Sequence, residues 1–377
     1  MVEVINPQSK VRDLTAAARQ IPIEVDGVGS YEIILTMWTV FNPEESGSGF
    51  DLGPEWLARM REATPEDLAA EIRQLGGSEC SVWLTVLGLI ASAPHPHDPD
   101  RVLDWMGSMS PHRLRRWMLS YLGEHADPGL VEQAADGDME AVEQILATLK
   151  GGKLDEDARR QITAILEIPS EELRDRMVQT IRRFRTEVYA EFEEPFSAAI
   201  SRAAAAQRAI STRDSAKSVI EEVTNGLDYE IPLGVSRVTL VPSVVVKPLS
   251  LIDQNRDILL VFYAMADEFI DSDPEAPPSW LLKTYKALSD ERRLRILRRL
   301  SEEEASLDDL TELLGLSKST VHHHMSVLRA AGLVRVHISG DKSDIKESKT
   351  YALRTQALTD AGAFLDTYVK TDRPVAS

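Results

Sequence analysis

The chain has 377 residues, enough for two or three domains that each bury a core, and its 61 Asp and Glu outnumber its 42 Lys and Arg. Cys80 is the single cysteine, which excludes an intramolecular disulfide and most cysteine metal sites. The longest apolar run, Ser81 to Ile90, is too short to cross a bilayer, which needs about 20 residues. Met1-Val-Glu-Val-Ile-Asn-Pro7 shows no basic segment followed by an apolar one, so the expectation is a soluble cytoplasmic protein with no signal peptide and no membrane partner.

In chain order, Ile21 to Val25 reads as a strand and Tyr31 to Phe41 as an apolar helix. A glycine-rich loop, Glu44 to Gly49, interrupts. From Pro54 to about Glu222 the pattern is mainly helical. Thr64-Pro-Glu-Asp67 reads as a helix start, with Thr64 as cap, Pro65 in the first turn and acids favouring the dipole. Pro169-Ser-Glu-Glu172 repeats that logic before a helix from Leu173 to Phe192, and Ala-rich Phe196 to Val223 predicts another long helix. Val235–Val241, Val244–Lys247 and Ile258–Tyr263 are β-branched and aromatic, with an Asp253–Arg256 turn, and predict a small antiparallel meander. Asp271 to Ser279 is acidic and Pro-rich, a solvated linker.

The expected organisation is therefore an acidic, mostly helical body over 1–230, serving as sensor or oligomerisation unit. A β-rich segment over 231–270, a linker over 271–279 and a DNA-binding domain over 280–377 follow. The fold class is mainly α with a small β segment. Charge separates these parts. Residues 280–377 hold 16 basic and 14 acidic side chains, and the rest hold 26 and 47, a net of −21. Phosphate repels such a body, so only the C-terminal part suits nucleic acid. Ordinary solubility charge explains the acidic body equally well.

That C-terminal part reads as a winged helix-turn-helix. A basic helix, Asp290 to Leu300, precedes a scaffold helix in which Leu307, Leu310, Leu313 and Leu314 share a face. Ser306 and Asp309 form a capping box with Asp in place of Glu, Gly315 permits the turn, and Ser317 caps the next helix. In that recognition helix, 318–331, Val321, Met325 and Leu328 face inward. Lys318, Ser319, Thr320, His322, His323 and Ser326 are left for base edges and phosphates. Gly332 closes the helix. A wing over 334–354 supplies Lys342, Lys346 and Lys349 for backbone phosphates.

Ala287-Leu-Ser-Asp-Glu-Arg-Arg-Leu-Arg-Ile-Leu297, Leu310–Ser317 and Ser319–Val334 resemble the ArsR/SmtB winged-helix family over roughly the last quarter of the chain. The resemblance implies a homodimer on a (pseudo)palindromic operator, usually a repressor released by a signal. It also implies that Lys318, Ser319, Thr320, His322 and His323 occupy the DNA-facing positions. Many members sense metals through cysteines in the scaffold helix, or through His and Asp on the last helix. Here those stretches are Ser306-Leu-Asp308 and the histidine-free Thr359–Lys370, so metal sensing at either is not expected. Long members with a large N-terminal region occur, and Val241-Pro-Ser243 with the β-rich segment after it resembles theirs.

Other features have plainer readings. Adjacent helical positions point about 100° apart, so His322, His323 and His324 cannot all ligate one ion, and His324 falls nearest the core. Pro94-His-Pro-His-Asp-Pro-Asp100 offers imidazoles and carboxylates, but a Pro-rich loop with an Asp cap explains it. Gly47, Gly49 and Gly53 lack a dinucleotide register, and Gly151-Gly-Lys153 lacks the parts of a phosphate loop. Trp38, Trp56, Trp83, Trp105 and Trp117 are core residues or the lining of an apolar ligand pocket. Ala361, Phe364, Leu365 and Tyr368, with Trp280, Leu281 and Tyr285, form either a two-fold interface or a contact with the body. The expectation is a regulator, not an enzyme, with no cofactor or metal and an unidentified small-molecule effector. The alternative is a winged helix serving as a docking or regulatory module of a larger assembly or enzyme.

Overall fold

Val238, Leu240, Leu259, Val261 and Tyr263 pack on one side of a sheet, and Val241, Leu260 and Phe262 on the other. The sheet is thus covered on both faces by helices. The computed structural model describes residues 21–42, 50–77, 80–122, 126–148, 156–210, 215–247, 249–270, 277–338 and 349–370. Its strands are β1 (Ile23–Val25), β2 (Leu227–Tyr229), β3 (Arg237–Ser243), β4 (Ser250–Asn255), β5 (Ile258–Ala264), β6 (Ala305–Ser306), β7 (Val334–Ile338) and β8 (Lys349–Leu353). The body sheet has the order β1-β3-β5-β4, and the second sheet the order β2-β7-β8-β6. The whole is mainly helical with these two small sheets, as the sequence predicts.

The body sheet is not an antiparallel meander. β1 pairs parallel with β3, β3 pairs parallel with β5, and only β4 runs antiparallel to β5. The reason lies at the end of β3. The buried Glu32 carboxylate accepts the Val244 and Val245 N–H groups at 2.9 Å each, so Val244–Lys247 turns inward instead of forming a strand. The chain returns as β4, a half-buried edge strand that includes Asp253, and Arg256 supplies the tight turn at φ 54. The β-rich segment thus shares its sheet and core with residues near Val25.

The expected strand at Ile21–Val25 and the Tyr31–Phe41 helix are present as β1 and Ser30–Phe41. Thr64 does not cap the following helix. Its hydroxyl donates back to the Met60 carbonyl at 2.8 Å, and Glu66–Gly76 starts from Pro65 with no side-chain cap. The two long helices expected over 173–192 and 196–223 are divided elsewhere. Ser170–Phe184 runs through a π-helical turn, Arg185–Tyr189, into Ala190–Ile210, which accommodates Pro195. Ala216–Val223 is a separate helix, capped by the Ser215 hydroxyl accepting the Ser218 N–H. The glycine loops at 44–49 and 151–153 lie outside the described residues.

Candidate nucleic-acid interface

The first helix of the C-terminal part, Ser279–Leu288, is tied to the basic helix Glu291–Glu302 through Arg293, whose guanidinium donates to the Ala287 and Lys286 carbonyls at 2.7 and 3.0 Å. Asp290 caps the basic helix by accepting the Arg293 N–H at 3.0 Å, and that bond with the nearby cations holds its carboxyl below the usual range. The scaffold helix, Leu307–Leu314, begins with the expected reciprocal box. Ser306 Oγ accepts the Asp309 N–H and Asp309 Oδ2 accepts the Ser306 N–H. Gly315 closes it at φ 63, in the left-handed region that a side chain resists. Ser317 Oγ then accepts the Thr320 N–H and opens the recognition helix, Lys318–Ala330.

Ala287, Ile296, Leu300, Leu310, Val321, Met325, Leu328 and Leu333 form the core that fixes the angle between these helices. On the recognition helix, Lys318, Ser319, His322, His323 and Ser326 are exposed and Thr320 is half-buried. These six make one continuous polar face. His324 is buried on the core side, as its position in the sequence implies, but neither ring nitrogen has a hydrogen-bond partner. Asp290 Oδ1 stands 4.0 Å from its Nδ1, and burial pushes the imidazole below its usual range. Lys318 Nζ meets Asp308 Oδ1 at 2.7 Å, with both side chains largely exposed. Sequence reasoning missed that pair, although the Asp308-Asp309 doublet beside the recognition helix was the available signal.

Strands β7 and β8 form the wing hairpin, with Val336 opposite Tyr351 and Ile338 opposite Lys349, and β6 flanks β8. Lys349 opens β8 and is half-buried. Lys342 and Lys346 lie outside the described residues. The outer edge of β7 is not free. The body strand β2 pairs parallel with it, matching Leu227 with Val336, Asp228 with His337 and Tyr229 with Ile338. Around this seam, Arg335 meets Glu221 at 2.7 Å, His337 Nδ1 meets Asp228 Oδ2 at 3.0 Å, and Lys217 meets Asp228 Oδ1 at 2.6 Å. A further contact joins the two parts where Lys283 pairs with Asp51 at 2.6 Å, next to Lys247. No motif announced any of these contacts.

The last helix, Thr355–Lys370, rests on the Ser279–Leu288 helix. Ala361 is buried, and the Trp280 and Phe364 rings meet edge-on at 5.1 Å. Leu281 turns into the core, whereas Trp280, Leu282, Tyr285, Phe364, Tyr368 and Val369 leave an apolar face in solvent.

The remaining candidates resolve into structural roles. Asp98 caps the Pro99–Ser108 helix. His97 is buried, with Nδ1 on Asp26 at 2.5 Å and Nε2 on the Ala93 carbonyl at 3.0 Å, while His95 stacks on it from outside. Among the described residues, no three His, Cys, Asp or Glu side chains converge as a metal site. Trp38, Trp83 and Trp117 are core. A small apolar void in the body, with room for about one water molecule, is lined by side chains that include Ile33, Ile34, Val86, Val102, Met106 and Ile181, not by tryptophans. No single described helix is long and apolar enough to cross a membrane.

A capped scaffold helix, a left-handed glycine turn, a recognition helix with a polar outer face and a β-hairpin after it define a winged helix-turn-helix of the DNA-binding type. Comparison with known proteins agrees. The profile of the bacterial regulatory protein, arsR family, matches residues 290–336. The transcriptional repressor SdpR of Bacillus subtilis (strain 168) is 30% identical over 77 residues, which span 79% of that protein and 20% of this chain. Through its C-terminal domain the chain belongs to the ArsR family of DNA-binding transcriptional regulators.

Proposed function

We propose that the protein is a dimeric, cytoplasmic repressor that binds a (pseudo)palindromic operator and has no enzymatic role. The observation that carries this reading is the pairing of two surfaces on one domain. One is the polar face of Lys318, Ser319, Thr320, His322, His323 and Ser326, backed by a packed core. The other is the apolar face of Trp280, Tyr285, Phe364 and Tyr368, whose exposed aromatic area suits a second copy related by two-fold symmetry. The recognition helix reads base edges, and Lys349 with Lys342 and Lys346 neutralises phosphates. SdpR is a repressor by name, which supports that sign for this chain. The acidic body serves as a sensor or an oligomerisation unit.

The test is binding of the full-length chain to genomic duplex fragments, including its own promoter region, at two salt concentrations, with sedimentation of the free protein. Sequence-selective binding that weakens with salt, by a dimer, is the expected result. A second reading, a protein-docking module, draws on the Lys318–Asp308 pair, which neutralises the first basic group of the recognition helix. Absence of duplex binding at low salt would favour it.

A further inference from the structure

The wing is held from the body side. A two-stranded hairpin has two edges, and here β6 covers one of them at β8 while β2 covers the other at β7. An uncovered β7 would present unpaired N–H and C=O groups to solvent. Instead the Val336 N–H donates to the Gly226 carbonyl at 2.8 Å. The chain enters β2 through a turn built for that approach. Thr224 Oγ1 accepts the Leu227 N–H at 3.2 Å, Asn225 sits at φ 56 and Gly226 at φ 104. A Cβ on Gly226 would stand 2.9 Å from the Val334 carbonyl oxygen and 2.7 Å from Arg354 Cδ, so only glycine lets the two backbones meet.

Polar links lock the seam along its length. Asp228, mostly buried, lies between Lys217 of the body and His337 of β7, and Glu221 reaches Arg335. Arg354, at the end of β8, donates to the Gly332 carbonyl at 2.9 Å, in the turn that follows the recognition helix. The Ala216–Val223 helix that carries Lys217 and Glu221 packs through Val219, Ile220 and Val223 on the body sheet at Val238, Leu240 and Val261. Body sheet, helix, turn and wing therefore form one contiguous packed path.

We propose that Asp228, Glu221 and the Asn225–Gly226 turn are positioning residues for DNA binding. They set where the wing stands relative to the recognition helix, so the Ala216–Val223 helix of the body controls the wing's reach to the phosphate backbone. This rests on the reading that the wing meets phosphate, and the experiment separates the two. Full-length wild type, Asp228→Asn, Glu221→Gln and the double variant are titrated against a duplex selected by the wild-type chain, across a range of salt concentrations. Each is also melted thermally and combined with Lys349→Ala.

The double variant should bind three- to tenfold more weakly, with a salt slope smaller by about one unit, and should melt within about 2 °C of wild type. Lys349→Ala should weaken the wild type more than it weakens the double variant, because the wing is already displaced there. A double variant with wild-type affinity and slope overturns the proposal. So does a loss of affinity with an unchanged slope and a fully additive Lys349→Ala effect, which marks a structural role only. If Lys349→Ala leaves the wild-type slope unchanged, the wing–phosphate reading itself fails. Should the double variant not fold, the two single conservative variants carry the same comparison.

Discussion

At the scale of single residues, three side chains have measurable consequences. Asp308 holds Lys318 in an exposed ion pair, worth little to stability, but it puts a carboxylate beside the face proposed to meet DNA. Asp308→Asn should leave the melting temperature unchanged and tighten duplex binding about two- to fivefold at low ionic strength, with the gain fading as salt rises. Unchanged affinity would place Lys318 away from DNA. His324 has two ring nitrogens buried without partners. Burial pushes its pKa below that of the unfolded chain, so the folded state binds fewer protons, and its contribution to stability is lost as pH falls below about 6.5. His324→Leu should raise stability by about 1 kcal/mol and remove that acid-side loss, read by chemical denaturation at pH 5 and pH 8. Glu32 has the opposite sign. Burial pushes its carboxyl up to about 7 despite its backbone N–H bonds. Its shift therefore lowers stability as pH rises from about 4.5 to about 7, by an order of 3 kcal/mol in full. Glu32→Gln should flatten that part of the stability profile; an unaltered profile would mean that the carboxylate is solvated.

At the scale of elements, the winged helix was legible because every boundary carries its own chemical signal. Ser306 with Asp309, Gly315 and Ser317 each sit where a cap or turn needs them, and the apolar positions between them repeat at helical spacing. Ser306→Ala should cost about 1 kcal/mol through the lost cap, measured by denaturant titration of the full chain. Loss of less than a few tenths would mean that the Asp309 half of the box suffices. The body sheet was misread for a physical reason. β5 is a continuous apolar run and β3 is buried along nearly its whole length, as befits strands covered on both faces of an α/β layer, and such runs do not reveal their direction. Direction was decided by Glu32, which pins Val244 and Val245 from a distant helix, and by β1, contributed from near Val25. The break expected between Phe192 and Phe196 is absent, because the chain stays helical past Pro195, after a π turn that no propensity marks.

At the scale of the whole molecule, the charge asymmetry pointed to which part meets DNA, but not to how the parts are joined. The joint consists of three residues of strand, a few ion pairs and one glycine, too little sequence to carry a periodicity. The Asn225-Gly226 dipeptide is a turn signal, but it does not say what the turn meets. Its consequence is cooperative. β2 lies in the wing sheet, and the helix before it lies in the body core, so unfolding either part strips packing and hydrogen bonds from the other. The wild-type chain should therefore unfold in a single calorimetric transition although it holds several separate cores. Gly226→Val puts a branched side chain against the Val334 carbonyl at a φ that side chains resist, and β2 must leave β7. Each part keeps its own core, since the winged helix packs around Ile296, Leu310, Val321 and Met325 and the body around its sheet. The variant should then show two transitions, the smaller belonging to the winged helix. A wild-type chain that already melts in two steps would mean that the seam contributes too little to couple the parts. A single, lowered transition in the variant would mean that the winged helix cannot stand without the body strand.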